Sequence, residues 1–199
     1  MNASQSIRDR IGTLLISLCF KELFEFKMMQ TDPNPANYLF DEKKSMMNLL
    51  DLGAGRDFGD NFLDNYMQVV WGAYKSDRDA ILTHSHNIGF LTGDENKEML
   101  NAHYTGTMIV GEPFRTNAGE LYDFGTAGLT EKVQHIMPTM AKHRLTPPPE
   151  EIYSLHKKII GTYLMCIKLR SRVPAKEILE ETKLNWQTLH GKAFYENSA

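Results

Sequence analysis

MMQTDPNPANYLFDEKKSMMNLLDLGAG, residues 28–55, decides how the rest of the chain is read. Tyr38-Leu39-Phe40 and Met46 to Leu50 are short apolar runs joined by the polar turn Asp41-Glu42-Lys43-Lys44-Ser45, which predicts two strands of a hairpin. Before the first strand comes a polar knot, Asp32-Pro33-Asn34-Pro35-Ala36-Asn37. After the second come Asp51 and two glycines, Gly53 and Gly55. One short hairpin thus carries Asp32, Asn37 and Asp51 at its two ends.

On the N-terminal side, Ile11, Leu14, Leu15, Leu18, Cys19, Leu23 and Phe26 recur with a helical period, and Ile16, Phe20 and Phe24 add a second apolar face. A helix over 7–27, buried on most sides, is expected. It has to end before Pro33 and Pro35. On the C-terminal side the pattern is helical to the end, with helices predicted over 60–75, 77–90, 94–110, 130–143, 149–171 and 175–190. Pro147-Pro148-Pro149 followed by Glu150 and Glu151 favours nucleation of the fifth of these. The expected architecture is therefore mainly α, a single strand pair in a helical body. Residues 1–6 form a polar leader, 7–195 the lobe (hairpin 28–55, helical body 60–190) and 196–199 a tail.

The bulk numbers set bounds. With 199 residues, 42% hydrophobic and 24% charged, the chain is ordinary globular material of about one domain. A net charge of −3 without a Lys/Arg run leaves no nucleic-acid footprint. The local cluster Lys142-His143-Arg144 reads as a solvated helix end. Cys19 and Cys166 lie far apart in apolar stretches, so buried, reduced thiols in a reducing compartment are expected. The near-apolar run from Ile11 to Phe20 is about half of the roughly 20 residues that a spanning helix needs. No secretory signal is visible. Histidines are scattered without His-x-x-x-His, no nucleophile motif stands out, and the methionines of residues 28–108 read as core filler.

Phosphoryl transfer needs oxygen ligands for Mg²⁺ and a carboxylate near the attacking group. Protein kinases place these at the ends of one hairpin: an Asp, an Asn five positions later, and a second Asp just before a Gly. Asp32 to Asn37 is that step, and Asp51-Leu52-Gly53 nearly matches D-F-G. Asn37 and Asp51 are then candidate Mg²⁺ ligands, and Asp32 faces the acceptor or a water. Asp-Pro-Asn-Pro is equally good turn chemistry, so spacing alone leaves both readings open. The literal Asp123-Phe124-Gly125 has no hairpin between it and Asp32 and reads as a loop or helix entry.

FKMMQTDPNPANYLF followed by LLDLGAGRDF closely resembles the UbiB-type atypical kinase-like family, in particular its mitochondrial branch that serves coenzyme Q (ubiquinone) biosynthesis. The likeness continues through FLTGDENKEMLNAH, GEPF and YDFGTAGLTEKVQHIMPTMAKHRLTPPPEEIYSLHKK, over about residues 7–190. The resemblance implies a protein-kinase-like C-terminal lobe, with Asp32 as the catalytic-loop residue and Asn37 and Asp51 as ligands of Mg²⁺ and ATP. Gln30 and Thr31 stand where ordinary kinases have His-Arg, and Asn34 stands where many have Lys. With a helix beginning near Asp60 there is no room for a full activation segment, so conventional protein phosphorylation is not expected. The resemblance further implies ATP binding and hydrolysis on the matrix side of the mitochondrial inner membrane. Implied partners are other coenzyme Q biosynthesis proteins, peripheral inner-membrane lipid and a second copy in a homodimer.

The chain resembles only the lower lobe. It lacks the family's upstream K-x-G-Q segment, its Ala-rich nucleotide loop and the upper-lobe Lys and Glu. The expectation is a fragment or truncated product that binds Mg²⁺-nucleotide weakly and turns it over negligibly. A rival reading is a catalytically silent helical scaffold that docks on membranes or on other coenzyme Q proteins. A small-molecule phosphotransferase is a third.

Overall fold

The structure, a computed structural model, describes residues 3–190. The tail and the last residues assigned to the lobe lie outside the described residues. Helix α1, Gln5–Phe24, starts at Ser4, whose hydroxyl accepts from the Ile7 N–H at 3.3 Å. It buries Leu15, Ile16, Cys19, Phe20, Leu23 and Phe24, together with one charged residue, Glu22. The Glu25 and Phe26 N–H groups both return to the Lys21 carbonyl, and Lys27 takes φ 55°, which turns the chain out of the helix. Phe26 is therefore exposed instead of extending the apolar face.

The chain then closes on itself twice. Strand β1, Met28–Gln30, pairs antiparallel with β4, Gly55–Asp57, in the register Met28↔Asp57 to Gln30↔Gly55. Nested inside, β2, Tyr38–Asp41, pairs with β3, Met46–Leu49, from Tyr38↔Leu49 to Asp41↔Met46. The inner pair is the hairpin expected from the apolar alternation. The outer pair is three residues long and has no β-branched side chain, so it leaves no period to read. A third pair, β5 (Tyr122–Asp123) with β6 (Arg172–Val173), is shorter still. A single strand pair is thus corrected to three, all within a mainly helical lobe.

The helical body comprises α2 (Asp60–Lys75), α3 (Arg78–Asn87), α4 (Lys97–Val110), α5 (Leu129–His143), α6 (Glu150–Leu169) and α7 (Ala175–His190). Asp77 and Asn96 cap α3 and α4 by accepting from the Ala80 and Met99 N–H groups at 3.0 and 2.8 Å. Helix α1 lies at the centre against α6 and α7. Its Phe24 meets the Trp186 ring edge-on at 5.6 Å, and Phe20 meets Phe114 at 5.4 Å. Both cysteines are free thiols in this core. Arg144 departs from a solvated helix end: its guanidinium lies 5.0 Å over the Phe90 ring, with Nη1 buried and without a hydrogen-bond partner. Between α1, α2, α4, α5 and α6 lies an apolar pocket of about 570 Å³ that is open to the outside. Among the described residues no helix is long and apolar enough to cross a membrane.

Candidate functional site

The two ends of the nested hairpins meet at the surface above α1 and α6. Pro33 and Pro35 hold the knot extended until a single 3₁₀ turn, Pro35–Asn37, delivers Asn37 to the start of β2. The Asn34 side chain caps this turn by accepting from the Ala36 N–H at 3.0 Å. That geometry brings Asn37 back onto Asp32: its Nδ2 donates to the Asp32 carboxylate Oδ2 at 3.2 Å and to the Asp32 carbonyl at 3.4 Å. Asn37 is buried, and its amide oxygen is the group left to serve as a ligand.

Asp51 sits just past β3. Its Oδ1 accepts from the Gly53 N–H at 2.7 Å, a local turn that fixes the side chain. The Leu50 N–H donates to the Asn37 carbonyl at 2.9 Å, so the residue before Asp51 is tied to Asn37 through the backbone. On the outer side, the N–H and hydroxyl of Thr31 both donate to the Ala54 carbonyl, at 3.0 and 2.9 Å. Asp32, Asn37 and Asp51 are thereby gathered at one end of the nested hairpins. Direct contact links Asp32 to Asn37, and backbone contacts place Asp51 alongside.

One residue of the candidate site escaped the reading of site residues in the sequence. Gln30, 2% exposed, joins the two acidic ends: its Oε1 accepts from the Asp32 N–H at 2.8 Å and its Nε2 donates to the Asp51 carbonyl at 2.9 Å. Beneath it lies a buried ion pair, Lys158 Nζ to Glu22 Oε2 at 3.2 Å. Lys158 also donates to the Gln30 carbonyl at 2.6 Å and to the Tyr38 hydroxyl at 2.8 Å. Burial works against the ammonium, but the Tyr38 hydroxyl and the Glu22 carboxylate outweigh it, holding Lys158 charged and above its ordinary value. Burial also pushes the Tyr38 hydroxyl up, keeping it protonated.

The donor set is hard oxygen only: the carboxylates of Asp32 and Asp51 and the amide oxygen of Asn37. These are Mg²⁺-type ligands, too few for an octahedral shell unless phosphate and water oxygens complete it. Among the described residues no group of three or more His, Cys, Asp or Glu is placed to hold a metal unaided. The residues therefore fit a metal that arrives with a phosphate ligand. The second D-x-G, Asp123-Phe124-Gly125, makes the same local turn, Gly125 N–H to Asp123 Oδ1 at 2.8 Å. Phe124 is buried in the core and Asp123 pairs with Arg172 across β5–β6, which makes this a structural corner.

Residues 1–85 match the family model of the ABC1 atypical kinase-like domain. The chain is 44% identical over 90% of its length to "Atypical kinase COQ8B, mitochondrial" of Rattus norvegicus, covering 34% of that protein. It is 42% identical over 92% of its length to "Probable serine/threonine-protein kinase abkA" of Dictyostelium discoideum, covering 33% of it. Against "Atypical kinase COQ8, mitochondrial" of Saccharomyces cerevisiae the identity is 36%, over 90% of this chain and 36% of the other. The chain thus spans about a third of the length of these relatives. Among solved structures, Rv3197 of Mycobacterium tuberculosis, determined with erythromycin, superposes with a TM-score of 0.67 over 91% of this chain and 44% of its own, at 18% identity. That likeness establishes the shared fold.

Proposed function

Because this chain matches the ABC1, or UbiB-type, atypical kinase-like family, we propose that it serves as a kinase-like helical scaffold, catalytically silent by itself. It docks on other proteins of mitochondrial coenzyme Q biosynthesis. The observation that supports docking is the apolar skin around the hairpin: Met28, Leu39, Met46, Leu50 and Leu52 are all exposed, the last two at 61% and 63%, directly beside Asp51. Apolar side chains clustered this way mark a surface that another protein surface covers. The relatives' names carry the mitochondrial setting, and the sequence resemblance carries the coenzyme Q link.

A second reading is favoured by the Asp32–Asn37 contact and by the placement of Asp51. Covered by an opposing lobe, the same face becomes one wall of a nucleotide cleft. There Asn37 and Asp51 would hold Mg²⁺ together with the ATP phosphates, and Asp32 would orient the attacking water or hydroxyl. Bound Mg²⁺-ATP would supply the phosphoryl group and the charge that shields it; this chain's residues supply position. Equilibrium binding of Mg²⁺-ATP and phosphate release by the purified chain, alongside Asp51→Asn, separate the two. The scaffold reading expects no turnover above background. Robust turnover that disappears in Asp51→Asn refutes it and installs the ATPase.

A further inference from the structure

We propose that Lys158 is a positioning residue, a clamp through which α6 holds the loop of Asp32, Asn37 and Asp51 from beneath. Its consequence for nucleotide rests on the Mg²⁺-phosphate reading of that loop; the clamp itself does not.

The geometry is specific to the ends of the loop. Lys158 donates two hydrogen bonds, to the Gln30 carbonyl and the Tyr38 hydroxyl, and its charge is balanced by an ion pair with the Glu22 carboxylate. Gln30 lies two residues before Asp32 and Tyr38 one residue after Asn37, so one side chain grips both flanks of the segment from Asp32 to Asn37. The same pair also holds both backbone groups of Gln30, because Glu22 Oε1 accepts the Gln30 N–H at 3.3 Å while Lys158 takes the carbonyl. With its backbone fixed, Gln30 has only its side-chain amide left, and that amide spans Asp32 and Asp51. One turn further along α6, Gly161 receives Pro33: a Cβ there would stand 2.2 Å from Pro33 Cβ. Residues 158 and 161 share a helix face. Helix α6 therefore supports the loop on both sides of Asp32.

A buried ion pair is a poor way to gain stability, since well-packed apolar residues of similar volume often do as well or better. An apolar pair, however, leaves the Gln30 carbonyl without its donor, and that distinction is testable.

The double variant Glu22→Gln/Lys158→Met in the full chain removes both charges together, and the amide oxygen of the introduced glutamine can still accept from the Gln30 N–H. Amide hydrogen exchange is read across the chain. The clamp expects Asp32, Asn37 and Leu50 to exchange at least tenfold faster while amides of α2 and α4 keep their wild-type rates. Equal rates at the loop in the folded double variant overturn the proposal, as does acceleration spread evenly over the chain. Tyr38→Phe, which removes one partner and no charge, expects a smaller acceleration confined to Asn37 and its neighbours, and serves if the double variant does not fold. Mn²⁺ with ADP gives the second readout. In wild type, paramagnetic broadening falls jointly on Asn37 and Asp51, and in the double variant it no longer does. Absence of broadening in wild type defeats the metal reading of the loop, while the exchange rates still decide the clamp.

Discussion

The same substitution should have opposite signs at two glycines that line the same pocket. Gly161 and Gly106 both lie inside helices, α6 and α4, where alanine is favoured over glycine by about 1 kcal/mol. At Gly106 a new Cβ meets only Met140 Sδ at 3.4 Å, the end of a flexible side chain. Gly106→Ala should therefore stabilise by about 0.5–1 kcal/mol. At Gly161 the new Cβ would lie 2.2 and 2.4 Å from Pro33 Cβ and Cγ. Carbon atoms pack at about 3.5–4.0 Å, so well over an ångström of overlap must be relieved. A proline ring has no rotamer to swing away, and its neighbour Asp32 is bonded to Gln30 and Asn37. Overpacking costs about 1–3 kcal/mol, and an overlap this large against a ring that cannot move belongs near the top, about 2–3 kcal/mol, which outweighs the helix gain. Gly161→Ala should lose about 1–2 kcal/mol, equivalent to roughly 3–6 °C in Tm for a chain of this size. Urea unfolding followed by circular dichroism measures both variants. A Gly161→Ala protein as stable as Gly106→Ala would refute the close seating of Pro33 on α6.

Acid sensitivity should come from two histidines kept neutral in the body. Burial, then the neighbouring His156 and Arg144 charges, lowers His103 to about 3; burial and Arg144 lower His156 to about 4. With the unfolded value near 6.5, their stabilisation is complete above pH 6.5 and is lost as pH falls toward 3–4. His103, 1% exposed, accounts for a few kcal/mol at most by linkage, on the order of 1.4 per unit. His156→Phe, which keeps the ring contacts to Tyr66 and Phe90, should flatten the fall of Tm between pH 6.5 and 4; an unchanged slope contradicts this source. Burial pushes the Cys19 and Cys166 thiols up to about 12, so neither should react with Ellman's reagent at pH 8 until the chain is unfolded. Rapid labelling of the native protein would show that the core opens around α1.

What could be read from the sequence follows from how locally each feature is specified. Helices α2 and α7 fall where the 3.6-residue period puts them, because that signal acts within a turn or two. The β2–β3 hairpin is legible for the same reason. β1 with β4 and β5 with β6 are not, since pairs of two or three residues are specified by what the helices bring together. The Asp32–Asn37 contact was legible as a five-residue step, but the two D-x-G segments are locally indistinguishable. Each closes the same Asp-to-Gly turn, at 2.7 and 2.8 Å. Only what surrounds them separates the two: Gln30 reaches the backbone of Asp51, whereas Asp123 is built into a strand pair with Arg172.

The clamp lies between these cases. Lys158 and Gln30 are 128 residues apart, and no motif joins them. Yet each charge of the pair interrupts an apolar stripe. Glu22 falls seven residues after Leu15 and three after Cys19 on the buried face of α1. Lys158 falls three after Leu155, beside Ile159, on that of α6. A single charge on such a stripe would have to leave the core or be neutralised, the acid by taking up a proton and the base by losing one, because an unpaired buried ion costs more than a marginally stable fold can bear. Opposite charges on two stripes that must both be buried have a better solution, which is each other. Neither Glu22 nor Lys158 stands out in the sequence; once α1 and α6 are seen to pack on each other, the pairing follows from one acid and one base on the two buried faces. That the pair then holds a polar loop follows from its leftover hydrogens. Glu22 balances the charge, but the ammonium hydrogens still need acceptors, and those they find are the Gln30 carbonyl and the Tyr38 hydroxyl at the ends of the Asp32–Asn37 segment.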